Sequence, residues 1–139
     1  MENSKIKLTN YQVDEIKFNI NQNWETNKTV KLAPQFSWGR AINDENSHEL
    51  LALECELFKD VEDPPFWCFV KITGEFEISE GIDRDSLQHP MLSLLIPYMR
   101  ALISQVTAVA QVKPVTLPII DIDVILASAI PVNKESEQL

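Results

Sequence analysis

Residues 66–78 read FWCFVKITGEFEI and alternate between two kinds of side chain. One parity is almost wholly apolar and carries Phe66, Cys68, Val70, Ile72, Phe76 and Ile78. The other parity begins with Trp67 and Phe69 and then becomes polar. A period of two predicts a β-strand with one face in the core. Because Trp67 and Phe69 share the polar parity, we expect these two aromatic side chains to face solvent.

Three further extended segments precede this strand. Residues 13–20 place Ile16, Phe18 and Ile20 on one face. Residues 28–42 are extended but contain Pro34 and Gly39, which is typical of an edge strand, a bulge or a partial loop. Residues 48–59 alternate again, with a turn predicted at 44–47 and an apolar parity of Leu51, Leu53, Cys55 and Leu57. Four consecutive strands with modest connections indicate an antiparallel meander.

After residue 85 the pattern becomes helical. Apolar side chains recur every three or four residues at Leu94, Leu95, Tyr98, Met99, Leu102, Ile103, Val106 and Val109. Pro97 suits a first helical turn, and a break at residues 113–118 precedes a shorter helix over 119–129. Strands followed by helices indicate the α+β class, here a four-stranded antiparallel sheet followed by a long and a shorter helix. We assign residues 10–132 to this domain, 1–9 to a flexible start and 133–139 to a short polar tail.

Charge is distributed unevenly along the chain. The formal net charge is −9, and residues 44–85 hold 13 acidic and 3 basic side chains. From residue 87 to 130 the only charged side chains are Arg100, Lys113, Asp121 and Asp123. A helix that is apolar nearly all round is normally buried on all sides, which favours a symmetric oligomer. The alternative is that Ser104, Gln105, Thr107 and Gln111 suffice as a solvent face.

The composition also restricts the partners and the location of the protein. An acidic chain of this kind lacks the Lys and Arg clusters that bind nucleic acid. The N-terminus has no secretory signal, and the uncharged stretch at 86–99 is broken by prolines and too short to span a bilayer. We therefore expect a cytoplasmic protein that does not insert into membranes.

The sequence offers no catalytic or metal-binding motif. His48 lies at the start of a strand and His89 precedes a proline, so surface or capping roles are favoured over catalysis. Asp121 and Asp123 are two residues apart on a predicted helix, where an exposed first turn explains them. Cys55 and Cys68 lack partners at ligand spacing and are expected to be buried thiols. We expect no enzyme activity, no cofactor, no metal and no disulfide.

The chain resembles the protein-export chaperone family SecB in several segments. FWCFVKITGEFEISEGID at 66–83 is similar to the family's fourth strand, with its F-x-C-x-V, G-x-F-x-I and G-I-[DE] elements. LLIPYMRALISQV at 94–106 is similar to its first long helix, and VTLPIIDIDVIL at 115–126 to the opening of its last helix. More weakly, residues 14–18 resemble its first strand, and Trp24 followed by VKL at 30–32 resembles its crossover loop.

The resemblance implies an ATP-independent holding chaperone, assembled as a homotetramer from two dimers. It implies that unfolded polypeptide binds in apolar grooves, for which the candidate residues are Trp24, Phe36, Trp38, Ile120 and Val124. It implies an oligomer interface on the first helix, for which the candidates are Tyr98, Met99, Leu102, Ile103 and Val106. It also implies a partner-docking face, on which we place Glu15, Trp67 and Phe69.

Departures from the family pattern leave the role in protein export open. Phe69 occupies the position of an acidic residue on the family's face for docking the SecA motor, and only eight residues follow Pro131, so we expect the motor-binding tail to be short or absent. Docking to SecA is therefore an open alternative. The second interpretation is a dedicated SecB-like chaperone or adaptor for a single protein, for example an antitoxin, that is not coupled to export.

The uncharged helical half predicts self-association. Light scattering after size exclusion is expected to give a mass near four times the 15.9 kDa of one chain. A single species with the mass of one chain at micromolar concentration would contradict both the charge argument and the implied assembly.

Overall fold

The computed structural model describes residues 6–24, 32–43, 48–79, 86–112 and 121–127. It contains the strands β1 (Ile6–Ile20), β2 (Gln35–Asn43), β3 (His48–Leu57) and β4 (Phe66–Ile78), followed by the helices α1 (Gln88–Val109) and α2 (Ile122–Ala127). The predicted α+β class and the order of its elements are confirmed. The predicted turn at 44–47, the break at 113–118 and the tail at 133–139 lie outside the described residues.

The strands form one antiparallel sheet in the order β1-β4-β3-β2. The predicted meander is correct for β2, β3 and β4, but wrong for β1, which pairs with β4 rather than with β2. The lengths of the strands explain this pairing. β1 has 15 residues and β4 has 13, whereas β2 has only 9, so only β1 matches the full length of β4. β2 is an edge strand, one of the outcomes that Pro34 and Gly39 predicted.

Two irregularities keep the apolar side chains of β1 on one face. The register of β1 against β4 shifts between Leu8 and Asn10 and again between Val13 and Glu15. Each shift adds one residue and so restores the parity. As a result, each apolar residue of β1 pairs with Gly74 or with a residue of the apolar parity of β4, and all of their side chains lie on one face of the sheet. These residues are Ile6, Leu8, Tyr11, Val13, Ile16, Phe18 and Ile20. The strand starts at Ile6, so the flexible start predicted for 1–9 is wrong for residues 6–9.

The core lies between this face of the sheet and α1. The predicted apolar parity of β3 is fully buried, and α1 contributes Met91, Leu92, Leu95, Met99 and Ile103 with no exposed surface. Gly74 allows the helix to approach β4 closely. A Cβ at this position would lie 3.0 Å from Leu95 Cδ1 and 3.1 Å from Leu8 Cδ1. An alanine at position 74 would therefore require the Leu95 and Leu8 side chains to shift by a few tenths of an ångström.

α1 begins earlier than predicted. Pro90, not Pro97, occupies its first turn, and Pro97 lies inside the helix on the exposed face. A proline inside a helix removes one backbone hydrogen bond, and on this face water can reach the carbonyl left behind. Thr107 is buried, and its hydroxyl donates to the Ile103 carbonyl at 2.9 Å, so it does not belong to a solvent face.

One charged pair is buried between β2 and β3. The Arg40 guanidinium donates to Glu49 Oε1 from Nε at 2.8 Å and also from Nη2. The Glu49 side chain has no exposed surface, and that of Arg40 is 11% exposed. Removing one partner of such a pair leaves a desolvated charge behind, which costs much more than the pair itself contributes.

Arg40→Met is therefore expected to lower the free energy of unfolding by about 3 kcal/mol in urea titrations, because it leaves the Glu49 carboxylate buried. The double variant Arg40→Met/Glu49→Leu should recover most of that loss. Lys17→Met serves as the control, since Lys17 and Glu15 form a solvent-exposed ion pair at 3.3 Å worth less than about 1 kcal/mol. An Arg40→Met protein that unfolds at the wild-type urea concentration would contradict the expectation.

Candidate functional site

A groove with an apolar floor is formed where α2 lies against the edge strand β2. Phe36 and Trp38 project from β2 on the helix side of the sheet, opposite Cys55 and Leu53 of β3. Both aromatic side chains are half-buried and pack against the core. From α2, Ile125 is buried and the half-buried side chains of Ile122 and Leu126 pack beside it. Val124 is 63% exposed and extends the apolar surface of α2 into solvent.

A cavity of about 420 Å³ opens at this groove. Among its lining residues are Trp38 from β2, Leu126 from α2, and Ser86, Gln88 and His89 at the start of α1. The indole nitrogen of Trp38 is buried and has no hydrogen-bond acceptor among the residues that the structure describes. A buried N–H without an acceptor is costly.

α2 is positioned by its first turn. Asp121 precedes the helix, and its carboxylate accepts a hydrogen bond from the backbone N–H of Asp123 at 3.0 Å. This is an N-cap interaction, which confirms that Asp121 and Asp123 form an exposed helix start. The cap fixes where α2 begins over β2.

Trp24 lies at the end of the sheet where β1 finishes and β2 begins. It follows a turn in which its backbone N–H donates to the Asn21 carbonyl at 3.2 Å. Its side chain is half-buried, and, unlike Phe36 and Trp38, it is not among the described aromatic residues that pack against the core. Of the five residues predicted for a binding groove, the structure brings Phe36, Trp38 and Val124 to the β2 and α2 edge and places Trp24 beside the crossover. Ile120 lies outside the described residues.

The three residues predicted for a docking face do share one face. Glu15, Trp67 and Phe69 lie on the side of the sheet opposite α1, so the outward orientation of the two aromatic residues is confirmed. Trp67 Nε1 donates to Glu56 Oε2 at 2.7 Å, and the Lys17 ammonium lies 5.6 Å from the centre of the Phe69 ring. Hydrogen bonding and a cation–π contact make these half-buried rings stable next to water.

An uncovered apolar surface extends over β1 and α1. Its described members are between 38% and 49% exposed: Tyr11, Val13, Ile16, Ile20, Leu94 and Tyr98. Tyr11 and Tyr98 are in contact, with ring centroids 4.5 Å apart, so the strand and helix parts are continuous. The exposed face of α1 also includes Pro97, Ala101, Gln105, Ala108 and Val109 and carries no charge.

Two of the residues predicted for the oligomer interface are buried inside the single chain. Met99 and Ile103 have no exposed surface and belong to the core of the single chain, because they face the sheet. Tyr98 is exposed, and Leu102 and Val106 are half-buried. The sequence pattern did not predict that β1 contributes to this exposed apolar surface. The spacing 6, 8, 11, 13, 16, 18 and 20, with two steps of three, was the signal that could have revealed it.

The polar residues do not form a catalytic constellation within the described segments. The nearest pairing is His48 Nε2 with Glu77 Oε2 at 4.0 Å, and both side chains are well exposed. The described ranges contain no group of three His, Cys, Asp or Glu side chains that could hold a metal ion. Burial raises the pKa of Cys55 to about 12, with smaller effects from Cys68 and Glu56, and burial raises the pKa of Cys68 to about 11.

Among the described residues α1 is the one helix that is long and apolar enough to span a membrane by length and composition. The sequence predicted that prolines would break this stretch, but the helix runs through both of them. Its position accounts for its apolar character, since one side of α1 packs in the core and the other is the uncharged face described above.

The fold places the chain among proteins with SecB-like architecture. No family model matches the sequence. The solved structure of the SecB-like chaperone Rv1957 of Mycobacterium tuberculosis, in complex with a ChAD peptide from the Rv1956 HigA1 antitoxin, is similar to this chain with a TM-score of 0.69. The similarity covers 84% of this chain and 92% of that one at 13% sequence identity. The resemblance to SecB is thereby confirmed for the fold.

A relative by sequence is also known. The chain is 30% identical over 139 residues to the uncharacterized protein MJ0357 of Methanocaldococcus jannaschii, covering 96% of this chain and 90% of the relative. The chain belongs to the same family as that protein.

The raised pKa values predict that both thiols are inert in the folded protein, because only the thiolate reacts quickly and burial disfavours it. At pH 8 an aromatic disulfide reagent is expected to react with two thiols per chain at once in urea, but only slowly in the native state. Raising the pH to 9 should accelerate the denatured sample about threefold, and the native sample should still react far more slowly, because thiols with raised pKa values remain almost wholly protonated at that pH. A thiol that reacts rapidly in native protein would contradict the burial of Cys55 or Cys68.

Proposed function

We propose that this chain is a non-enzymatic, ATP-independent chaperone that holds an extended segment of one dedicated polypeptide partner. The observation that carries the proposal is the β2 and α2 groove, where the half-buried Phe36 and Trp38 lie on the edge strand and Trp38 and Leu126 line one cavity. Val124 adds an exposed apolar side chain on the same helix. Apolar grooves with a few polar groups suit extended peptides, since pockets accept side chains while nearby donors and acceptors hold the backbone.

The Rv1957 structure supports a dedicated partner more than a general one. That protein, which shares the fold, is seen with a peptide from one antitoxin. The residues of the docking face also favour a dedicated partner. Phe69, with Lys17 over its ring, replaces the acidic residue that the SecB pattern uses toward the SecA motor. A general holding chaperone that delivers unfolded proteins for export, with SecA as a partner, is the second candidate.

We also propose that the protein is a cytoplasmic homotetramer. The uncovered face of β1 and α1 is continuous and lacks charge on its helical part, so a second copy could bury it by two-fold symmetry. Tyr98, Leu102 and Val106 remain candidates for this interface, and Leu94, Tyr11, Val13, Ile16 and Ile20 join them. Such an assembly leaves β2, α2 and the crossover open to a partner.

Capture from cell lysate separates the two candidate functions. The proposal expects one protein in fixed stoichiometry, together with weak binding of a permanently unfolded polypeptide such as reduced, carboxymethylated α-lactalbumin. Many unrelated clients and tight binding of the unfolded polypeptide would favour the general chaperone. Failure to bind any polypeptide would refute both.

Trp24→Ala is expected to weaken binding of the captured partner about thirtyfold, a loss of about 2 kcal/mol, because it removes an aromatic side chain that the core does not use. The oligomer mass should not change. Phe69→Ala is the matched control, since it also removes a half-buried aromatic ring but on the opposite face of the sheet, and it should leave this affinity unchanged.

Titration calorimetry and light scattering measure both effects. If Trp24→Ala binds like the wild type, or dissociates the oligomer, Trp24 is a structural residue and the groove does not reach the crossover. If Phe69→Ala weakens the same binding, the partner contacts the outer face of the sheet instead.

A further inference from the structure

The crossover between β1 and β2 is attached at both ends to one hairpin connection. β1 and β2 are opposite edges of the sheet, and β1 ends and β2 begins at the end of the sheet where residues 58–65 connect β3 to β4. The described parts of the crossover there are residues 21–24 and 32–34. At the far end, the Phe58 backbone N–H donates to the Leu32 carbonyl at 3.3 Å. At the near end, the attachment is made by the backbone N–H and the side chain of one residue.

That residue is Asn21. Its Nδ2 donates to Asp63 Oδ1 at 2.8 Å and to the Pro64 carbonyl at 2.9 Å, and its backbone N–H donates to the Pro65 carbonyl at 3.0 Å. Its Oδ1 accepts from the Asn23 N–H at 3.0 Å. Its carbonyl accepts from the Trp24 N–H at 3.2 Å. Asn21 thus connects the hairpin connection on one side to the turn that carries Trp24 on the other.

The backbone at this end of the sheet is strained. Four described residues other than glycine have a positive φ, and three of them lie at the attachments: Ala33 at 47°, Phe58 at 62° and Asp63 at 52°. Such conformations cost free energy and persist only where surrounding contacts hold them. Ala33 and Phe58 are at the far attachment, and Asp63 is at the near one, where it accepts a hydrogen bond from Asn21.

We infer that Asn21 is a positioning residue for partner binding, which holds the crossover against residues 63–65 so that Trp24 is presented at the end of the groove. The inference rests on the proposed function. Trp24 is not among the described side chains that pack against the core, and its backbone N–H is held in the turn that begins at Asn21. Without the Asn21 side chain, the turn at residues 21–24 is expected to sample more conformations, and binding must then restore the productive one.

The neighbouring Asn23 is a matched control. It is the same residue type in the same turn and is exposed, and the turn uses its backbone N–H rather than its side chain. Asn21→Ala removes two donated hydrogen bonds and one accepted one, whereas Asn23→Ala keeps the backbone contact. Asn21→Ala should weaken binding of the partner about tenfold, and Asn23→Ala should leave it unchanged.

An exchange of side chains tests the contact itself. Asn21→Asp places a carboxylate against Asp63 and is expected to weaken binding more than Asn21→Ala. Adding Asp63→Asn restores a donor and acceptor pair with the roles reversed, and asparagine tolerates the positive φ at this position. The double variant should therefore recover part of the affinity lost by Asn21→Asp, because the Pro64 carbonyl still lacks the donor that the Asn21 amide supplies.

Fluorescence provides a measurement that needs no partner. The chain has three tryptophans, so the Trp38→Phe/Trp67→Phe background reports Trp24 alone. In this background Asn21→Ala is expected to increase acrylamide quenching of Trp24, with Asn23→Ala unchanged. Asp63→Gly, which removes the acceptor of one Asn21 hydrogen bond and tolerates the positive φ at this position, should give an intermediate value and serves if Asn21→Ala does not fold. Quenching of Trp24 that is the same in all these variants would overturn the inference.

The two hypotheses fail differently. If the wild type binds neither a captured partner nor the unfolded polypeptide while quenching still responds to Asn21→Ala, the proposed function is wrong and Asn21 only orders the crossover. If Trp24→Ala weakens binding but Asn21→Ala and Asn21→Asp do not, the function stands and the positioning role is wrong.

Discussion

The antiparallel pairing of β1 with β4 is the interaction on which the rest of the fold depends. It gives β4 a second neighbour that matches its full length, so the most apolar strand of the chain is central in the sheet. It succeeds only because two bulges in β1 keep every apolar side chain of the strand on the helix side. The same pairing makes β1 and β2 opposite edges. A crossover past the end of the sheet then becomes unavoidable, and its turn carries Trp24.

The two faces of the sheet are stabilised by different contacts. On the helix side, the apolar parities of β3 and β4 are sealed by α1, and Gly74 sets how close the helix can come. On the other side, Trp67 and Phe69 are satisfied by Glu56 and Lys17, so large aromatic rings can remain half-buried in a polar surface. The surface that stays uncovered lies on β1 and α1. Its position on the opposite edge from β2 separates the proposed assembly from the proposed partner site.

The groove at β2 and α2 combines features that a purely structural edge would avoid. An edge strand is normally protected by charge, by short length or by a covering element. Here the short helix α2, with the exposed Val124, lies against β2. Trp38 lines the cavity beside it, and the buried indole N–H of Trp38 has no acceptor among the described residues. Features that oppose local stability in this way are expected where a partner completes the structure.

The sequence by itself determined the elements whose pattern is local. The alternation in residues 66–78 and 48–57 gave the faces of β4 and β3, and the recurrence of apolar residues after residue 94 gave the presence of α1, because both periods follow from backbone geometry. Of the site, the outward direction of Trp67 and Phe69 and the place of Phe36 and Trp38 on an edge strand were predictable for the same reason.

Only the tertiary structure determined the contacts between segments that are far apart in the sequence. The partner of β1 depends on matching two strands some 60 residues apart, and its bulges break the period that the sequence reveals. Met99 and Ile103 look like interface residues in a helix that is apolar all round, until the direction of the sheet is known. Arg40 and Glu49 look like surface charges, yet they are buried against each other. The role of Asn21 likewise depends on Asp63, Pro64 and Pro65, because a hydrogen bond requires only proximity in space and leaves no periodic trace in the chain.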